Sequence, residues 1–432
     1  MRRRARYTRR RLERISRTAT LGGLFLSFLK IGLVGFGGGV AVLAMIRNVT
    51  VRKRHWLTDA EFVEAVALAQ SLPGTSAGNS VTYIGVRLRG WRGAAVAMGG
   101  FILPSTLIMV ALAIMYKHIN NLSGTQRFFH GLNGAVVALI LVTAWRMGRN
   151  ILTRRWQWLL AVLAFLAVAI LDATVLEVVF AAGLIGIYID SFADKQLGTW
   201  RNLRRIVSRR RARIRTRMAK RRRAQRKTGE KVDGREESVT FRSIGMLAIA
   251  MPVMAKLGLL VTLAAIFLRM GSVTFGGGLV MVPLIESEVV NTHHWLTHQE
   301  FADATALGQI TPGPVLITAT FVGYRVAGTL GALVATISIF LPAFLMTIAA
   351  ASSLRRFRNN EQVQSFLRGI APAVVGLLVA AALSIGRAGV HSWVGLSIML
   401  LAMFTLIRFR PNPFWVLFGA GLLRFVVGLF LA

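Results

Sequence analysis

The landmarks between Phe36 and Gly74 return in the same order, 239 positions later, between Phe275 and Gly313. The first copy reads Phe36-Gly37-Gly38-Gly39, His55-Trp56-Leu57-Thr58 and Gln70-Ser71-Leu72-Pro73-Gly74, and the second Phe275-Gly276-Gly277-Gly278, His294-Trp295-Leu296-Thr297 and Gln309-Ile310-Thr311-Pro312-Gly313. Past the proline the register slips by one residue: Arg87 pairs with Arg325, Pro104 with Pro342, Gly131 with Gly369 and Arg149 with Arg387, each 238 apart. A period this long is a duplicated domain rather than a solenoid repeat. Whatever one half folds into, the other half must be able to fold into as well.

The chain has 432 residues, 54% of them hydrophobic, and a mean hydropathy of +0.58. Apolar runs near 93–116, 131–147 and 370–386 are long enough to cross a bilayer, which predicts an all-α polytopic membrane protein. Residues 1–19 form a basic tail, 20–192 the first repeat, 193–242 a basic linker, and 243–432 an extra apolar stretch followed by the second repeat. Arginine in the tail, linker and short loops produces most of the net charge of +36. On a membrane protein such segments stay in the cytoplasm and meet anionic lipid, so nucleic acid is not the expected partner. With no cysteine, disulfides, thiol chemistry and cysteine-held metal are excluded, and no cofactor is expected. The first apolar run lacks a small-residue cleavage site and contains Lys30, so it reads as retained rather than as a signal peptide.

Four of the five residues from Gly35 to Gly39 are glycine, and each weakens a helix by roughly 1 kcal/mol relative to alanine. In a membrane such a break is tolerated where it lines a cavity. Thr58-Asp59-Ala60-Glu61 and Thr297-His298-Gln299-Glu300 are capping-box patterns that start helices. Those helices should stop at Pro73-Gly74 and Pro312-Gly313, where proline blocks the ladder and glycine permits a turn. Equivalent loops differ in charge: Arg47, Arg52, Lys53 and Arg54 stand where the second half has Glu286, Glu288, His293 and His294. Opposite bias implies opposite orientation, so the halves read as inverted-topology repeats with broken or re-entrant helices. The N-terminus is expected inside and the C-terminus outside.

Broken helices at matching positions of inverted halves point to a transporter's binding site, and their N-termini favour a small anion. The predicted substrate contacts are Gly37, Gly38, Gly39, Gln70, Pro73, Gly74, Thr75, Ser76 and Asn79 in the first half. In the second they are Gly276, Gly277, Gly278, Gln309, Thr311, Pro312, Gly313 and Pro314. Packing kinks are the alternative reading of the same glycines and prolines. Lys30 and Arg269 occupy equivalent positions; such cations either serve a dianionic substrate or snorkel to an interface. Glu64 and Asp303 are matched acids that either carry a coupling ion or complement a helix dipole. Gly74-Thr75-Ser76-Ala77-Gly78 matches a hydrolase nucleophile pattern, but it follows no predicted strand and has no serine in the second copy, so no enzyme is expected.

At Phe36-Gly37-Gly38, Pro73-Gly74, Phe275-Gly276-Gly277 and Pro312-Gly313-Pro314 the chain resembles the chromate ion transporter family, in its two-domain form. The second half keeps the Pro-Gly-Pro pattern where the first has Pro73-Gly74-Thr75. The resemblance implies a multi-pass protein of the cytoplasmic membrane that moves chromate outward, with sulfate the chemically similar dianion. No G-x-x-x-x-G-K-[ST] occurs, so an ion gradient or the membrane potential is the expected driving force. A sulfate or other oxyanion permease is the alternative within transport, and a scaffold using the polybasic linker the alternative outside it. A homodimer is an assembly the sequence leaves open.

Overall fold

The computed structural model describes residues 19–36, 38–119, 122–171, 173–189, 251–274, 278–358, 361–390 and 392–430. The basic tail up to residue 18, the linker, Gly37, Gly276 and Gly277 lie outside them, as does most of the extra stretch before Met251. The first half contains α1 (Leu21–Val34), α2 (Gly38–Arg47), α3 (Asp59–Ser71), α4 (Ser76–Ile119), α5 (Ser123–Ile151), α6 (Arg155–Ala169) and α7 (Val175–Ile189). The second contains α8 (Met251–Val273), α9 (Met281–Glu286), α10 (His298–Ile310), α11 (Thr318–Arg358), α12 (Glu361–Gly389), α13 (Trp393–Arg408) and α14 (Pro413–Phe430). Six helices of the described residues are long and apolar enough to cross a membrane, and the protein is a polytopic, all-α membrane protein.

Both capping boxes form. Thr58 accepts from the Glu61 N–H while the Glu61 carboxylate accepts from Thr58, and Thr297 and Glu300 repeat this. Each capped helix has 13 residues, about 20 Å, short of the roughly 30 Å of a bilayer core. The chain then turns at Pro-Gly and comes back. Arg87, near the end of the returning arm, sits 3.0 Å from Glu61 at the start of α3, and Arg325 pairs with Glu300 in the same way. The broken segments are therefore helical hairpins, each with a Pro-Gly tip and a foot closed by an ion pair.

At Gly90 (φ +63) and Gly328 (φ +65) α4 and α11 reverse direction, so each consists of two arms. A Cβ on Gly85 would come within 2.5 Å of the Gly93 carbonyl oxygen, and Gly323 faces Gly331 likewise. This hairpin closes because glycine provides both the left-handed turn and the close approach.

The second arm of α4 settles how the hairpins are oriented. It begins beside the first foot, at Gly93, and 23 residues later its Tyr116 bonds Asp303, one turn from the second foot. That length of helix is about 35 Å, close to a bilayer's thickness. The two hairpins thus enter from opposite faces, which is the inverted arrangement. α1 starts on the first face too, since Arg89 donates to the Ala19 carbonyl. α5 and α12 pack against each other, and each holds the closing helices of the other half: α6 lies on α12, and α13 and α14 lie on α5.

Candidate functional site

The tips meet through two reciprocal backbone bonds. Gly74 N–H donates to the Thr274 carbonyl at 2.6 Å, and Gly313 N–H donates to the Gly35 carbonyl at 3.0 Å. Gly35 and Thr274 are equivalent residues, each placed just before a glycine break, so every turn is closed onto the break of the other half. Both turn glycines have left-handed backbones, φ +98 at Gly74 and +106 at Gly313. A Cβ on Gly74 would stand 2.5 Å from the Ala343 Cβ, and one on Gly313 would overlap the Ser105 hydroxyl. Ser105 and Ala343 are themselves equivalent. Ser105 lies 12 residues after Gly93 and 11 before Tyr116, so the tips meet halfway between the two feet.

The individual side chains divide between building the turns and leaving groups unpaired. Asn79 donates to the carbonyls of Pro73 at 2.7 Å and Ala69 at 3.2 Å, which caps the end of α3. The Thr75 hydroxyl accepts from Gly78 N–H, and the Thr311 hydroxyl donates to Leu307. Pro73, Thr75, Thr311, Pro312 and Pro314 are buried, Ser76 half-buried. In contrast, the hydroxyls of Ser80, Ser105 and Thr305 and the Gln309 amide nitrogen are buried without a partner. Buried polar groups are normally satisfied, and these cluster on the tips and on the arms beside them. The N–H groups of Ser76 and Ala77, and of Val315 and Leu316, open the returning helices and have no intrahelical acceptor. Together they present N–H and O–H donors and two positive dipole ends, the environment that replaces water around a small anion.

Gly38 opens α2 and Gly39 faces open space, whereas Gly278 is set against Val315 just beyond the second tip. The paired cations have different surroundings. Lys30 is exposed on α1, while Arg269 is bound to Glu288. Glu64 is half-buried and lies 3.7 Å from Arg87; Asp303 is buried, 1% exposed. Two cavities lie toward opposite feet. One of about 340 Å³ is lined by Gln70, Met147 and Asn150 at the far end of α5. The other, about 900 Å³, is lined by Glu286, His298, Gln299 and Arg387 near the second foot.

Ser105 was not among the residues the sequence pointed to, because a lone serine in an apolar span carries no local signal. Its place directly after Pro104, which aligns with Pro342, was the one available clue.

Comparison with known proteins agrees with this architecture. The family described as chromate transporter matches residues 22–187 and 261–425, one copy per half. A probable chromate transport protein of Synechococcus elongatus is 30% identical over 91% of this chain and 92% of its own length. A chromate transport protein of Cupriavidus metallidurans is 28% identical over 95% and 94%. An uncharacterised transporter of Bacillus subtilis is 36% identical over 32% of this chain and 71% of its own. No solved structure matches.

Proposed function

The chain belongs to the chromate transporter family, and we propose that it exports chromate across the cytoplasmic membrane as a secondary transporter, binding the dianion where the two Pro-Gly tips meet. The observation that carries this reading is the reciprocal bonding of Gly74 to Thr274 and Gly313 to Gly35, beside unpaired donors at mid-depth. Substrate sites at the interface of inverted repeats, between half-helix N-termini, follow the same physical logic. The smaller cavity includes Gln70, three residues before the first tip, and the larger one opens beside the second foot. The first foot's face carries Arg47, Arg52, Lys53, Arg54, Arg89 and Arg92, and the second Glu286, Glu288 and His293. The positive-inside rule makes the first face cytoplasmic, with the N-terminus inside and the C-terminus outside.

Counterflow of labelled chromate in proteoliposomes, with sulfate as competitor, tests the proposal. Chromate should exchange across the membrane, and sulfate, of the same shape and charge, should compete. Absence of exchange with either anion would overturn the reading.

A further inference from the structure

Three acids of the described residues are buried, Glu286, Glu288 and Asp303; Glu288 is paired with Arg269 and Glu286 faces His298, whereas Asp303 meets no cation. It sits on α10, 1% exposed, and three neutral donors from three helices converge on it. The Tyr116 hydroxyl on α4 donates to one carboxylate oxygen at 2.7 Å. The Asn133 amide on α5 and the Gln299 amide on α10 donate to the other at 2.7 and 3.0 Å. Among the described residues no cation pairs with it, since the nearby Arg325 is bound to Glu300.

The duplication supplies an internal control. Asp303 corresponds to Glu64, but Tyr116, Asn133 and Gln299 correspond to Leu354, Ala371 and Ala60. The first half thus builds the same hairpin with a half-buried acid beside Arg87 and none of these donors. Hairpin architecture does not require the buried cluster, and replacing buried ionic groups by apolar ones is often neutral or stabilising. The cluster accommodates both protonation states. As a carboxylate, Asp303 accepts three hydrogen bonds; as an acid it needs one acceptor, which the Asn133 side-chain amide offers when it turns over, since its Oδ1 is buried without a partner. Access comes through Gln299, which both bonds Asp303 and lines the cavity shared by Glu286, His298 and Arg387. Nine residues further on, just past the end of α10, is Pro312, so the acid rides on the helix that leads into one tip.

Resting on the transport reading, we propose that Asp303 is the proton-binding site that couples transport: it takes a proton from water in the Gln299 cavity and later returns it to water on the opposite face, as the oxyanion moves the other way. The ionisable groups around it are Tyr116 on α4, Glu300 on α10 and Arg325 on α11, with Glu286, His298 and Arg387 across the cavity. On α5 His130 lies one turn from Asn133, and α14, which also packs on α10, carries Arg424.

The test uses full-length protein in proteoliposomes, with labelled chromate or sulfate and the potential clamped to zero. With one coupled proton, the steady-state oxyanion gradient should change about tenfold per unit of imposed pH difference. Asp303→Asn should lose that response while counterflow continues, and Asp303→Glu should keep it with a displaced pH midpoint. A wild type that carries the anion but ignores the pH gradient, or an Asp303→Asn protein that still follows it, overturns the proton site and leaves the transport reading standing. If Asp303→Asn fails to insert, the pH midpoints of Asp303→Glu and Tyr116→Phe decide, and unmoved midpoints in both overturn it. A wild type that carries neither anion removes both proposals.

Discussion

Gly74 and Gly313 are held to glycine by two separate constraints, and both can be tested. Their left-handed backbones cost a side chain roughly 1–2 kcal/mol, and the space for a Cβ is already filled by Ala343 and Ser105. Valine at either position should push the tips apart and abolish transport, because the Cβ has no space and its backbone is strained. Initial chromate uptake by correctly inserted protein measures this; near wild-type uptake in both mutants would make the turns mere packing kinks. Ser105→Ala separates binding from packing. The second half already carries alanine at the matching position, Ala343, against Gly74, so alanine fits this corner. What is lost is a hydrogen bond to a charged ligand, worth about 1.5–3 kcal/mol. Chromate should bind ten- to a hundredfold more weakly while thermal stability is unchanged. Unaltered affinity in titrations of the purified mutant would remove Ser105 from the site.

At the scale of the element, the hairpin is defined by its ends. The capping box starts it, the Pro-Gly turn reverses it, and the Glu61–Arg87 or Glu300–Arg325 pair ties its foot. Burial alone would raise the Glu61 carboxyl, but the Thr58 N–H and hydroxyl and the Arg87 guanidinium outweigh it and hold the group below its ordinary 4.5. A depressed folded-state value adds stability that is complete above the ordinary one and disappears as pH falls through the folded one. Glu61→Gln should therefore lower the melting temperature in detergent at neutral pH, by an amount equivalent to about 1 kcal/mol. The gap to wild type should close below pH 4.5; a gap that persists there would show that the carboxylate charge does not stabilise the foot. The cap and the turn were legible in the sequence because caps, prolines and glycines act within a few residues, whereas the pair at the foot, 26 and 25 residues apart, was not. The surroundings of Asp303 were not, since Tyr116 and Asn133 reach it from 187 and 170 positions away. The ion pair of Arg269 with Glu288 was missed for a related reason: periodicity places a cation on a helix but does not say what it meets.

For the whole molecule, the constant offset with reversed loop charge gave the inverted duplication before any coordinates, and the run of about 35 Å made by the second arm of α4 between opposite feet is its structural counterpart. The exchange of closing helices, α6 onto α12 and α13 with α14 onto α5, had no sequence signal, because glycine-rich apolar helices carry no mark of which half they will join. This exchange makes each half incomplete alone and fixes the two feet on opposite sides of one body. Arg52 and Asn291 are equivalent, both exposed, and both close to their feet, and the chain has no cysteine of its own. Arg52→Cys and Asn291→Cys, made singly, should therefore react with a membrane-impermeant maleimide from opposite sides. Labelling of intact cells should modify the Asn291→Cys protein, and the Arg52→Cys protein should react only after the membrane is opened, because the basic first face is expected in the cytoplasm. The reverse pattern would turn the molecule over but keep its symmetry. Labelling of both from one side would mean that the feet share a face, and the inverted arrangement, together with a site shared between opposed tips, would have to be abandoned.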